Sequence, residues 1–471
     1  MKKMSKRSAL WLALVGLGLT AMPAQADDPT DLKQAIERMT REIEALKARQ
    51  QMLENKPVTS AGAPVNADGA RVVTEGALPG SIKLPGTNVS LKLGGYVDLT
   101  MRKEFGPSFG GGTFLFAPLM TLPGSPTEAR HGQFYMTAKR SNVNLTALVP
   151  TPLGDLKAYL EGDFYGAGGN EVGTNSAAFR LRLAHASMGP WRIGQDYSTF
   201  STDGNALIDT LDVMYGAGVS GAPRQTLARY TFNVKPGHEF ALAAENAEAD
   251  IFGVAPSTNA AGLTPVPGQT IDKVPDLVGK YTARGSWGTV SLAAVARRLT
   301  LNNRGGAAVG GFTGEQNVTA SGLMLGGMIK TIGEDSIQFH LLAGNGLGRY
   351  LQNNTASSAF VDPDDRKLKS IYSKGASLGY KHWWSPTLRS SIGLMANRGN
   401  YRHSVAAGGI PLTALSGVNM SIVNLIWMPT PKNFIGIEWD RVKVIADGIV
   451  APITSTSNTG DSLQVSYRHL F

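Results

Sequence analysis

The chain has 471 residues and no cysteine. That suits an exported protein, whose thiols would otherwise meet the periplasmic oxidase. After residue 26 no apolar run approaches the roughly 18 residues a membrane-crossing helix needs, which excludes a helical membrane protein. Signatures of catalysis are missing as well. Gly110-Gly111-Gly112 lacks the Lys-Ser/Thr of a phosphate loop, and Gly344, Gly346 and Gly348 have no βαβ unit around them. There is no GxSxG, no HExxH, and the seven histidines are scattered. Asp362, Asp364 and Asp365 lack the Gly and terminal Glu of a calcium loop and read as a solvated acidic loop. The expectation is therefore a non-enzyme without cofactor or metal. The formal charge of +9 is a mild excess over a long chain and does not point to nucleic acid.

What is present begins with a secretory pattern. Lys2, Lys3, Lys6 and Arg7 precede an apolar run from Ala9 to Ala21, and Ala24-Gln25-Ala26 supplies the small residues of a cleavage site. Residues 1–26 read as a signal peptide, and its loss leaves a charge of +5. Residues 27–55 form a different segment. Leu32, Ile36, Met39, Ile43, Leu46 and Leu53 repeat on an a/d seam over about three heptads, with Gln50 in the missing position. So short a helix is marginal alone and implies self-association, preferably as a parallel trimer. A dimer, or an amphipathic helix packed on its own domain, stays open. Residues 56–87, with Pro57, Pro64, Pro79 and Pro85, have no sustained period and read as a linker.

From residue 88 to 471 the period is two. Leu91, Leu93, Val97, Leu99 and Met101 share one face, while Lys92, Tyr96, Asp98, Thr100 and Arg102 share the other. Short turns at 150–155, 189–190, 234–237, 285–288, 331–334, 384–386 and 430–433 alternate with long loops at 103–130, 166–176, 199–223, 248–274, 300–316, 346–365, 401–415 and 446–460. Seven turns and eight loops join sixteen strands. The predicted fold is all-β: a 16-stranded antiparallel transmembrane β-barrel preceded by a short N-terminal coiled-coil helix. Barrels of this size enclose an aqueous channel. Trp191, Trp383, Trp384, Trp427 and Trp439 suit an interfacial girdle. Phe471 closes an alternating strand as an assembly signal, which implies the barrel assembly machinery and a membrane of lipid and lipopolysaccharide as partners.

Taking the polar face of each strand as the lumen face gives a basic wall. Arg102, Lys157, Arg180, Arg182, Arg192, Arg229, Lys280, Arg297 and Arg389 are its candidate anion-binding residues. Lys92, Arg284 and Lys381 share that parity, as do Glu161, Asp163, Glu438 and Asp440. Guanidinium groups stay charged and grip a carboxylate with two parallel hydrogen bonds. Alternatively, each arginine pairs with a neighbouring acid and merely stiffens the wall. The 199–223 loop either caps the channel or folds inward, bringing Asp203, Asp209 and Asp212 to a constriction.

The seam helix, then Leu84-Pro85-Gly86-Thr87 and Leu91-Lys92-Leu93-Gly94-Gly95-Tyr96-Val97, resembles the DcaP-like trimeric outer-membrane porins. So do Arg180-Leu181-Arg182-Leu183-Ala184-His185-Ala186, Ile193-Gly194-Gln195-Asp196-Tyr197-Ser198-Thr199-Phe200, Thr210-Leu211-Asp212 and Arg229-Tyr230-Thr231. Asp196-Tyr197 departs from the family, where Thr-Trp is more familiar. The resemblance implies a homotrimer, a periplasmic N-terminal helix, an outer-membrane location and a preference for small anionic solutes, notably dicarboxylic and aromatic acids. A general non-selective diffusion porin is the alternative. A structural or adhesive barrel and an outer-membrane hydrolase are the alternatives from other classes.

Overall fold

The computed structural model describes residues 74–108, 120–126, 128, 130–166, 169–170, 172–211, 223–254, 269–303, 313–351 and 357–471. The signal peptide, the seam residues Leu32 to Leu53, and Asp212 lie outside the described residues.

Sixteen long strands follow one another in antiparallel order. They are β1 (Ser90–Phe105), β2 (Asn142–Thr151), β3 (Gly154–Gly166), β4 (Ala178–Met188), β5 (Trp191–Tyr197), β6 (Arg224–Lys235), β7 (His238–Glu245) and β8 (Asp276–Gly285). Then come β9 (Gly288–Asn303), β10 (Gly314–Lys330), β11 (Ser336–Asn345), β12 (Tyr372–Ser385), β13 (Leu388–Gly399), β14 (Leu415–Thr430), β15 (Asn433–Ala446) and β16 (Ser457–Leu470). β16 pairs back onto β1, from Asp461 opposite Phe105 to Leu470 opposite Tyr96, so the sheet closes. Closure satisfies every edge, as a sheet in lipid requires. The Phe471 N–H extends the seam by donating to the Gly95 carbonyl.

The burial pattern is inverted relative to a soluble sheet. On β1 the apolar Leu93 and Val97 are 62% and 53% exposed, while Asp98, Thr100, Arg102 and Glu104 are fully buried. The apolar face is the outer, lipid-facing one. Trp191, Trp287, Trp384 and Trp427 stand on that face beside short turns, where an aromatic belt belongs.

Two departures from simple alternation matter below. The register of β4 slips at Arg182: Leu181 faces Gly162, but Leu183 faces Glu161. Leu183 therefore turns inward and is buried, although strict parity puts it outside. On β13 to β15, Met395, Val418, Met420, Ile422, Val442 and Val444 face inward yet are apolar. Loop residues Leu347, Tyr350, Phe360, Ile371, Tyr401 and Ile410 join them in one buried cluster. The outer loops thus fill part of the barrel mouth with an apolar core.

Candidate functional site

The candidate site is the lumen where a loop crosses it. After β5 the chain turns inward. Ser198 Oγ and Thr199 N both donate to Glu245 at 2.6 Å, and Gln225 joins them on the same carboxylate. Phe200 is fully buried edge-on against Tyr350, ring centroids 5.2 Å apart. Thr202 meets His340 at 3.2 Å. At the far end Asp209 pairs with Arg389 at 2.5 Å, and Thr210 Oγ1 and Leu211 N donate to Glu438 at 2.7 and 2.9 Å. The described part of the 199–223 loop therefore folds into the barrel, pinned by a buried glutamate at each end.

Glycines make its seat. A Cβ on Gly326 would stand 2.0 Å from Thr202 Cγ2, and one on Gly436 would stand 2.5 Å from Leu211 Cδ2. A Cβ on Gly379 or Gly393 would meet Ile208 at 2.9 or 3.0 Å. Four strands, β10, β12, β13 and β15, each leave out one inward side chain where the loop lies. Their partners across the ladder are inward and buried: His340 opposite Gly326, and Ile426 opposite Gly436.

The candidate arginines stand in ion pairs. Arg180 grips Asp163 with two bonds of 2.9 and 2.7 Å. Arg182 contacts Glu161 at 2.6 Å, Asp163 at 3.0 Å and the Tyr197 hydroxyl at 3.0 Å. Arg192 and Arg229 share Asp196, at 2.9 and 3.4 Å. Arg284 bridges Asp203 and Glu239 at 2.7 and 2.8 Å. Asp203 and Asp209 are thus tied to Arg284 and Arg389, on β8 and β13, and not to the Arg180–Arg182 cluster.

Arg102 and Arg297 are withdrawn from the lumen water. Arg102 is fully buried against Gln464 and Asp440. Arg297 pairs with Asp276 at 2.9 Å and donates to the Gly346 and Glu248 carbonyls and to Ser358, lacing outer loops to the wall. Burial and the Asp276 carboxylate push the Tyr350 hydroxyl beyond the usual phenol range. Among the described residues no ion pair joins Lys157 or Lys280 to a carboxylate. Lys157, Ser187, Arg192 and Arg229 lie in one cross-strand row, each directly opposite the next.

Sequence reasoning overlooked Glu245 and the glycine seat. It missed Arg224, whose Nη1 is buried without a hydrogen-bond partner. Asp362, read from the sequence as part of a solvated acidic loop, is instead fully buried, and its carboxylate accepts from Lys369 and from His403 Nε2 (2.8 Å) to join two outer loops. Among the described residues no group of three acidic or histidine side chains is placed to hold a metal.

A family model described as the DcaP outer membrane protein matches residues 120–447. Among solved structures, the outer membrane channel DcaP of Acinetobacter baumannii superposes with a TM-score of 0.65 at 17% identity, over 81% of this chain and 97% of that one. An anion-selective porin from Comamonas acidovorans gives 0.49 at 12% identity, over 81% of this chain and 100% of that one. Pseudomonas putida OprB gives 0.49 at 9% identity, over 81% and 94%. No curated protein matches in sequence.

Proposed function

The chain belongs to the DcaP outer membrane protein family, and from that premise we propose that it is an anion-preferring channel for passive diffusion of small polar solutes, dicarboxylic and aromatic carboxylic acids among them. The outer-membrane location and the barrel architecture follow from the family and fold, and both support the channel reading. The observation that carries the anion preference is the balance of charge on β3 to β6. Four arginines, Arg180, Arg182, Arg192 and Arg229, share three carboxylates, Glu161, Asp163 and Asp196, and Lys157 stands beside them with none. A narrowed aqueous lumen with a net basic wall concentrates anions and raises the barrier for cations.

The same reading includes a homotrimer with the 27–55 helix in the periplasm. It has the signal peptide directing export and the barrel assembly machinery inserting the chain into a lipopolysaccharide-bearing membrane. The experiment is the reversal potential across a planar bilayer under a KCl gradient, with and without succinate. An anion-selective potential and a current blocked by succinate are expected. An unselective or cation-selective pore indifferent to succinate would leave a general diffusion porin.

A further inference from the structure

We infer that Lys280 is the residue that grips the carboxylate of a passing solute at the constriction. The inference rests on the anion-channel reading and names the group that does the gripping. An arginine already held by a fixed carboxylate is a poor hook, because the internal partner is present at high effective concentration and a solute must displace it. Arg180, Arg182, Arg229, Arg284 and Arg389 are all held in this way. Lys280 is not.

Its surroundings suit a ligand. The Nζ lies 3.4 Å from the Ser201 carbonyl, at the start of the inward loop, so the charge stands where the lumen narrows. Its direct cross-strand neighbours are Ala241 and Ala293, both too small to reach the ammonium. The charged groups that act on it are Arg229 and Arg284, and Asp203 and Glu239. Both carboxylates are already engaged by Arg284. A half-buried ammonium with one weak carbonyl contact and free donors is open to a carboxylate from solution.

Lys280→Gln tests this in the full-length chain, with succinate block of single-channel current as the readout. Folding is checked by heat-modifiable migration on a gel. The expected result is block weakened by about tenfold or more, the loss of one charge-assisted hydrogen bond. Lys157→Gln changes it far less. The chain has no cysteine, so Lys280→Cys offers a second test that does not depend on the first variant folding. Modification with aminoethyl methanethiosulfonate restores an ammonium there and is expected to restore block, whereas the sulfonate analogue abolishes it. Wild-type block in Lys280→Gln, or block unchanged by either reagent, overturns the inference while the anion-channel reading stands. A wild-type pore without anion selectivity or succinate block overturns both.

Discussion

Replacing Glu438 with alanine should loosen the constriction loop without opening the barrel. Glu438 is fully buried and accepts from Thr210 Oγ1, Leu211 N and Asn424 Nδ2 at 2.7, 2.9 and 2.9 Å. The first two donors belong to the loop. A hydrogen bond to a charged acceptor contributes about 1.5–3 kcal/mol, so the loop loses roughly 3–5 kcal/mol of seating once water enters the vacated space. That shifts the seated-to-released balance by about two to four powers of ten. The ladder is untouched, because residue 438 keeps its backbone partners Asn424 and Gln464. Single-channel recording in planar bilayers should show a larger conductance with more open-channel noise. Glu438→Gln, which keeps one acceptor oxygen, should fall between. A folded Glu438→Ala barrel with wild-type conductance and a quiet trace would refute the reasoning, because the loop would then be held by something else.

The glycine seat and the outer latch give two further predictions. Gly326→Val should overpack Thr202, whose Cγ2 would stand 2.0 Å from the new β-carbon, destabilising the seated loop. Overpacking of this kind costs about 1–3 kcal/mol. It is read as a raised conductance in recordings, with thermal unfolding of the barrel little changed. The Asp362 carboxyl is held below the usual carboxylate range, first by its bond to Lys369 and also by His403. A depressed carboxyl contributes stability above its unfolded value of about 4, and loses it as the pH falls through its folded value. Hydrogen-exchange protection of residues 359–370 and 402–406, corrected for intrinsic rates, should therefore hold from pH 7 to about 4 and decline below. Loss of protection between pH 7 and 5 would contradict the latch.

Strands and turns could be read because lipid imposes a two-residue period and each of the short turns carries Gly or Pro. All seven predicted turns fall between consecutive strands, as at Gly189-Pro190 between β4 and β5. The inward loop could not be read, because its seat is distributed. Gly326, Gly379, Gly393 and Gly436 sit on four strands far apart in the chain, and each looks alone like a weak point in an alternating run. The apolar inner faces of β13 to β15 hid for a related reason. Val418, Met420 and Ile422 are lumen positions by parity, and only the loops above them explain why they are not polar.

Parity found charged wall residues but not their partners. Pairing depends on cross-strand register, and register depends on single-residue slips such as the bulge at Arg182, which periodicity does not reveal. That bulge lets one guanidinium reach Glu161, Asp163 and Tyr197 together. It is also why a count of inward arginines overstates the charge open to a solute. Each paired guanidinium contributes to the field of the lumen but offers few free donors. An ammonium without a partner contributes less to the wall's rigidity and more to its chemistry. In the channel proposed above, selectivity by field and recognition by contact are thus assigned to different residues: the arginine row to the sign of ion that enters, and the unpaired lysine at Ser201 to contact with the ion that has entered.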